Sequence, residues 1–346
     1  MIWPPPFAKT VAAAALILAS LPVIAASAQD RLPRLPRALF DVIPPAERVE
    51  GERGTMMIWQ AACRVGPTAE SRRRIVDIAV QEWAVFGFQT VDITNVETRV
   101  LPPGVVPDSL NPKLPAPRIV SRFPRLGTLE DDRNLDTTIG GYWSATPEGP
   151  RILAEQNRAW DGPGGGGVNW VQPWSAAFIS WVMCEAGLGD MAQFHRSAAH
   201  RLYVDQAIRA RDGEAQDAAF AAYDAGEAPL VPGDLLCRSR RPTDYRELAD
   251  RRREFGMGGA THCDIVVKME ARNNRVLVIG GNVFQSVSLS VLPLLTERGR
   301  FPRPVDDSVI EGAQTVFAHL KLRADPIEAD ALENSPAIRA LSARPH

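Results

Sequence analysis

Hydrophobic and polar positions alternate with two different periodicities along the chain, and the periodicity changes near Pro232. Before it, apolar residues from 71 to 87 recur every three or four positions, which predicts an amphipathic helix. The stretch 173–187 is apolar on nearly every side, so we expect a helix buried between other layers. Weaker patterns predict further helices over about 150–160 and over 204–225, with an interruption near Gly213.

After Pro232 the spacing of apolar residues changes to two, and short apolar runs follow one another without a long helix between them. These runs predict five strands, at 235–238, 264–268, 275–279, 283–290 and 315–322. Consecutive strands without crossover helices pair antiparallel. Helices first and strands second give an α+β fold, with a helical half packed on an antiparallel β-sheet.

Residues 91–170 are rich in proline and glycine and have little periodicity. Only a strand near 91–100 and the helix near 150–160 are predicted there, and loops of this length are often lids or binding loops. The Gly-Tyr-Trp-Ser segment at 141–144 predicts a buried aromatic corner more readily than the wall of a substrate cleft.

The beginning of the chain has the features of an export signal. A basic n-region ends at Lys9, an apolar core covers 11–25, and 26–28 form an A-x-A cleavage site. The core is shorter than the roughly 20 residues of a membrane-spanning helix, so we expect cleavage, no membrane association afterwards, and a periplasmic or secreted protein. The predicted organisation is a signal peptide over 1–28, a Pro/Arg-rich linker over 29–60, one domain over 61–325 and a flexible tail over 326–346.

Charge excludes one class of partner. The chain has 39 basic and 41 acidic residues, so it has no strong global field to attract nucleic acid, and a nucleic-acid partner is excluded. The glycine run at 162–167 lacks the lysine and the preceding strand of a phosphate-binding loop. We therefore expect no nucleotide cofactor.

The cysteines and histidines do not predict a metal site. The four cysteines contain no C-x-x-C pair, and His195 and His200 are five positions apart, so they do not share a helix face. We expect neither a metal nor another cofactor. In an oxidising compartment the cysteines are either disulfide-bonded or buried free thiols.

Ser175 lies in the first turn of the predicted buried helix. A side chain there is close to the positive end of the helix dipole and to unpaired N–H groups, which stabilise a nucleophile or a developing oxyanion. A serine at a helix start is more commonly an N-cap.

The segment 174–181, Trp-Ser-Ala-Ala-Phe-Ile-Ser-Trp, resembles the Trp-Cys-Ala-Ala-Phe-Val-Ser-Trp nucleophile motif of the CHAP and NlpC/P60 cell-wall amidases and endopeptidases. Serine stands where those papain-like families carry cysteine. With His262, Gly-Gly-Asn at 280–282 and Pro-Gly-Asp-Leu-Leu at 232–236, the chain most resembles the bacterial domain of unknown function 2272, over roughly 70–322. The resemblance implies a papain-like fold.

The resemblance also implies a catalytic constellation. Ser175 would be the nucleophile, His262 its base within hydrogen-bond reach, and Asn282 the residue that orients the base. Because alternate residues of a strand share a face, Asp264 is a second candidate to orient His262. The fold analogy further pairs the strands of Cys237 and Cys263 closely enough for a disulfide, leaving Cys63 and Cys184 in the helical half.

Two functions from different classes follow. The first is an exported hydrolase or amidase that acts on peptidoglycan or another acyl-linked substrate of the cell envelope. The second is a catalytically inactive module that binds cell-wall peptide or a protein partner in the same cleft. The sequence is compatible with both, and it leaves the oligomeric state open.

Overall fold

The structure is a computed structural model that describes residues 31–92, 97–100, 118–121, 125–167, 169–240, 245–305 and 315–343. The predicted signal peptide at 1–28 lies outside these ranges. Within them, no helix combines the length and the apolar character needed to cross a membrane.

The described residues form a mixed α+β structure, as predicted. Its α-helices are α1 Ser71–Val85, α2 Asp136–Trp143, α3 Gly149–Asp161, α4 Ser175–Glu185, α5 His200–Arg211, α6 Leu248–Arg252 and α7 Pro336–Ser342. The predicted helices near 71–87, 150–160 and 173–187 correspond to α1, α3 and α4. Every residue of α4 is buried, which confirms that it is a core helix.

The strands form one large sheet and two small ribbons. They are β1 Val49–Glu50, β2 Met57–Ile58, β3 Thr90–Asp92, β4 Glu97–Val100, β5 Arg118–Ser121, β6 Phe220–Tyr223, β7 Leu235–Ser239, β8 Thr261–Glu270, β9 Arg275–Val283, β10 Ser286–Leu295, β11 Arg303–Pro304 and β12 Val316–Leu322. The large sheet has the order β11-β10-β9-β8-β7-β12-β6, with β3 added parallel to β10. All its other pairs are antiparallel, which confirms the predicted sheet.

The helix α4 packs closely against the middle of this sheet. A Cβ atom added to Gly281 of β9 would lie 2.5 Å from the Cβ of Phe178 of α4. Residues of α4 and alternate residues of the central strands, such as Cys237, Cys263 and Ile265, share one large hydrophobic core. The sheet therefore presents one face to α4, and its other face carries a second, smaller core that includes Val266.

Helix α2 and strand β6 are two of the elements that differ from the sequence prediction. Helix α2 was missed because threonine and glycine have low helix propensity, but its glycines permit close contacts: a Cβ on Gly141 would lie 1.8 Å from the carbonyl oxygen of Pro45. The predicted helix over 204–225 ends with α5 at Arg211, and β6 pairs instead with β12. Edge pairing there outweighs the helical preference of an alanine-rich sequence.

Both ends of the described chain are packed rather than loose. In the predicted linker, Leu32 and Phe40 are buried, and Arg34 makes two 2.7 Å hydrogen bonds to Glu82 of α1. The predicted flexible tail contains α7, which packs on α1. Arginines and apolar residues at both ends of the described chain thus find partners on α1.

Two disulfide bonds are present, Cys63–Cys184 and Cys237–Cys263. The second joins directly opposed residues of β7 and β8, as the fold analogy implied. The first ties the N-terminal segment to the end of α4. Of the two readings left open by the sequence, disulfides rather than free thiols are confirmed.

Candidate active site

Ser175 is the first residue of α4 and is only 3% exposed. The N-cap position belongs to Trp174, and no side chain caps this helix end, so the common capping role does not apply to Ser175. Its hydroxyl oxygen instead lies 2.7 Å from Nε2 of His200. The hydroxyl oxygen of Ser175 is therefore close both to the N-terminus of α4 and to an imidazole nitrogen.

His200 is the first residue of α5 and is 4% exposed. Its other ring nitrogen, Nδ1, accepts a hydrogen bond of 3.2 Å from the backbone N–H of Cys263 and also contacts the hydroxyl of Tyr203. The ring is therefore held from both sides, by α4 and by β8. Tyr203 lies one turn along α5 from His200, which explains why its side chain reaches the ring.

These contacts bear on the tautomer of His200. A backbone N–H can only donate, so the contact with Cys263 favours an unprotonated Nδ1 and a proton on Nε2. The hydroxyl of Tyr203 both donates and accepts, so it can serve either tautomer. A proton on Nδ1, donated to Tyr203, leaves Nε2 free to accept the proton of Ser175.

Burial keeps His200 uncharged. Desolvation lowers the pKa of His200 well below its ordinary value, and the neighbouring His262 and Arg240 lower it further, against the opposing charge of Asp264. Burial, followed by the negative charge of Asp264, likewise raises the pKa of Tyr203 well above the usual range. The Ser175 site thus contains a neutral imidazole and a neutral phenol.

A second imidazole, His262, belongs to a buried charged cluster. Its Nε2 lies 2.8 Å from Oδ1 of Asp264, and Arg238 of the neighbouring strand donates to the other carboxylate oxygen. Burial alone would raise the pKa of Asp264, but Arg238 and His262 outweigh it and hold that pKa far below its ordinary value. Because the ionised carboxylate only accepts, His262 carries a proton on Nε2.

The predicted contact between Ser175 and His262 is not formed within the described residues. Alternation along β8 explains this: Cys263 faces the core that contains α4, so His262 and Asp264 belong to the opposite face. His262 is nevertheless close, because its ring centroid lies 5.1 Å from that of His200. His200 occupies the position beside the serine that the resemblance assigned to His262.

The other two predicted residues have different outcomes. Asp264 contacts His262, as expected for the second orienting candidate, whereas no hydrogen bond of the described structure involves the Asn282 side chain. Asn282 has a positive φ of 53°, as do Phe284 at 50° and Gln285 at 61°. Asparagine tolerates this left-handed conformation. Asn282 lies within β9, one residue before the strand ends at Val283, and the orienting role that the resemblance implies for it stays a prediction.

The turn after Asn282 is strained, since a left-handed conformation is costly for a bulky residue such as Phe284. It is held by the buried side chain of Gln89, whose amide donates to the carbonyl oxygens of Val283 at 3.2 Å and Phe284 at 3.3 Å. These hydrogen bonds join the end of β9 to the segment that follows α1.

His200 is the site residue that the sequence interpretation missed. The sequence pattern places it only beside His195, five positions away, in a spacing unsuited to a metal pair. One signal was available: a serine nucleophile needs an imidazole, and the chain contains only five histidines. No group of three or more His, Cys, Asp or Glu side chains in the described ranges is arranged to hold a metal ion.

Fold and site together define an α+β protein with a buried serine–histidine pair at the N-terminus of its central helix. The family model described as "Uncharacterized protein conserved in bacteria (DUF2272)" matches residues 131–322, which is more than half of the chain. The chain belongs to this family. Comparison with curated proteins and with solved structures finds no match in either set.

Proposed function

We propose that the protein is a serine-dependent hydrolase that cleaves an acyl-linked substrate of the cell envelope, with peptidoglycan as the substrate class. The observation that carries this proposal is the 2.7 Å contact between the Ser175 hydroxyl oxygen and Nε2 of His200 at the start of α4. A serine hydroxyl is not ionised by a helix terminus alone, so it needs a neutral base within hydrogen-bond reach. The lowered pKa of His200 supplies that neutral base.

In the proposed reaction, His200 removes the Ser175 proton through Nε2 while the serine oxygen attacks the acyl carbon. The oxyanion of the tetrahedral intermediate is stabilised by unpaired N–H groups in the first turn of α4. The protonated His200 then donates its proton to the leaving group, which yields an acyl-serine. Water activated by the same imidazole hydrolyses this ester and restores Ser175.

Tyr203 has a positioning role in this proposal. His200 can accept the serine proton on Nε2 only when its own ring proton is on Nδ1. The hydroxyl of Tyr203 is the acceptor beside Nδ1. It would thus do for His200 what a carboxylate does in a serine-protease triad. The tautomer favoured by the Cys263 N–H is a resting form that must convert before attack.

The substrate class and the location rest on the motif around Ser175 and on the two disulfides. The motif around Ser175 resembles that of papain-like cell-wall amidases, and a papain-like fold is accordingly part of the proposal. Two disulfides fit an oxidising compartment outside the cytoplasm, which supports export by the predicted signal at 1–28. A periplasmic or secreted enzyme would meet peptidoglycan directly.

One observation favours a second function, a catalytically inactive module that binds cell-wall peptide. The Cys263 N–H favours the His200 tautomer that cannot accept the serine proton, and Ser175 is almost inaccessible. In such a module the serine–histidine contact would serve only to join α4 to α5.

Labelling with a fluorophosphonate separates the two functions, because only an activated serine attacks the phosphorus atom. We expect the wild-type protein and Ser180→Ala to be labelled and Ser175→Ala to remain unlabelled. Ser180 is a matched control, since it is a fully buried serine on the same helix. Mass spectrometry of peptides locates the adduct, and failure to label wild-type Ser175 would leave the binding function in place of the hydrolase.

A further inference from the structure

The two strands beside the site end in a row of polar residues on one face of the sheet. Arg238 of β7 is directly opposite His262 of β8, and the next pair is Ser239 opposite Thr261. The backbone N–H of Arg240 continues this ladder with a 2.8 Å hydrogen bond to the carbonyl oxygen of Ala260. Because residues two apart on a strand share a face, Arg240 follows Arg238 and His262 in the same row.

Arg240 differs from Arg238 in its partners. Arg238 is nearly buried and paired with Asp264, whose second oxygen is already bonded to His262. Arg240 is exposed and makes no side-chain hydrogen bond or ion pair with any residue of the described ranges. The cluster of Arg238 and ionised Asp264 is neutral as a pair, so Arg240 gives this end of the site an unbalanced positive charge.

The charge of Arg240 also acts on the reacting residues. The row to which Arg240 belongs reaches the proposed base, because the ring centroid of His262 lies 5.1 Å from that of His200. Arg240 also contributes to lowering the pKa of His200. An anion bound at Arg240 would therefore lie across the end of β8 from the acyl group attacked by Ser175, on the face of the sheet opposite α4. A guanidinium presents two parallel N–H donors that match the two oxygens of a carboxylate.

We propose that Arg240 binds a carboxylate of the substrate and so directs the enzyme to acidic peptides. This inference rests on the proposed hydrolase and names the chemistry of its substrate: an acyl or peptide bond with a carboxylate close by, as in the peptide stems of peptidoglycan. Arg240 is a specificity residue in this account, because it touches the substrate away from the bond that breaks.

The test is a binding measurement by isothermal titration, which does not depend on turnover. The protein is the full mature chain with Ser175→Ala, and the ligands are soluble stem-peptide fragments of peptidoglycan and the same fragments with their carboxylates converted to amides. We expect Arg240→Gln to weaken binding of the carboxylate fragments about tenfold, as expected for a lost charge-assisted hydrogen-bonded pair. The affinity of Arg240→Lys should lie between those of the protein with Arg240 and of Arg240→Gln, because lysine keeps the positive charge but lacks the two parallel N–H donors.

The amidated fragments should bind equally weakly with and without Arg240. The matched control is Arg272→Gln, which removes one exposed arginine at the far end of β8. The inference is overturned if Arg240→Gln and Arg272→Gln have the same effect, or if the carboxylate and amide fragments bind alike. Fluorophosphonate labelling of Ser175 reports on the hydrolase separately, so a failure of the carboxylate site and a failure of the catalytic proposal are distinguishable.

Discussion

Hydrolysis of purified peptidoglycan is expected to fall by about 10²–10⁴-fold in His200→Gln, the range typical for loss of a general base. It should fall by less than about tenfold in His262→Gln, a change of about 1.4 kcal/mol in the activation barrier. The reason is geometric: His200 touches the Ser175 oxygen, whereas His262 is bonded to Asp264 on the other face of β8. Release of soluble fragments from insoluble peptidoglycan measures both rates.

The controls for this experiment use the same site. Ser175→Ala should abolish hydrolysis, and the double variant Ser175→Ala with His200→Gln should be no worse, because residues that act as a unit are not additive. Melting curves check that each variant is folded. The reverse order, with His262→Gln inactive and His200→Gln active, would return the catalytic role to the histidine that the resemblance indicated.

The largest effect on stability is expected at Arg48, in the segment that composition presented as a linker. Arg48 and Glu185 form an ion pair whose two side chains are each 1% exposed. Arg48→Met should lower the free energy of unfolding by about 3–5 kcal/mol, because Glu185 is then left charged and buried without its partner. Urea denaturation of the oxidised protein, with both disulfides intact, measures the loss.

Two further variants show whether burial is the cause. Arg64→Met removes an exposed ion pair with Asp41, whose side chains are 39% and 56% exposed, and should cost less than about 1 kcal/mol. Arg48→Met combined with Glu185→Leu should recover much of the stability lost in the single variant, since no unpaired charge remains. Equal losses in Arg48→Met and Arg64→Met would show that the buried pair contributes little.

The parts of the fold that could be predicted were those in which one spacing of apolar residues persists over many positions. The apolar stretch of α4 and the alternating runs of β7 to β10 depend on local spacing, and both are present in the structure. Helix α2 depends instead on the approach of other segments to Gly140 and Gly141, which no local pattern records. The strand β6 likewise exists because β12 offers it a pairing edge.

The candidate site shows the same division. Ser175 at a helix start and the pairing of His262 with Asp264 follow from position within one element, and both could be stated in advance. The contact of Ser175 with His200 joins two helices, and a single sequence does not reveal which of five histidines comes closest. Family resemblance pointed to His262, but strand alternation directs that side chain away from α4.

That a neutral His200 is the hydrogen-bond partner of Ser175 can be tested by ¹⁵N NMR of the histidine rings as a function of pH. Since burial lowers the pKa of His200, its ring should stay neutral as the pH falls through 6.5, the ordinary value for histidine. Ser175→Ala should shift the Nε2 signal of His200 and leave the signals of His262 in place. A His200 ring that becomes protonated at its ordinary pH, or a Ser175→Ala shift confined to His262, would contradict the account.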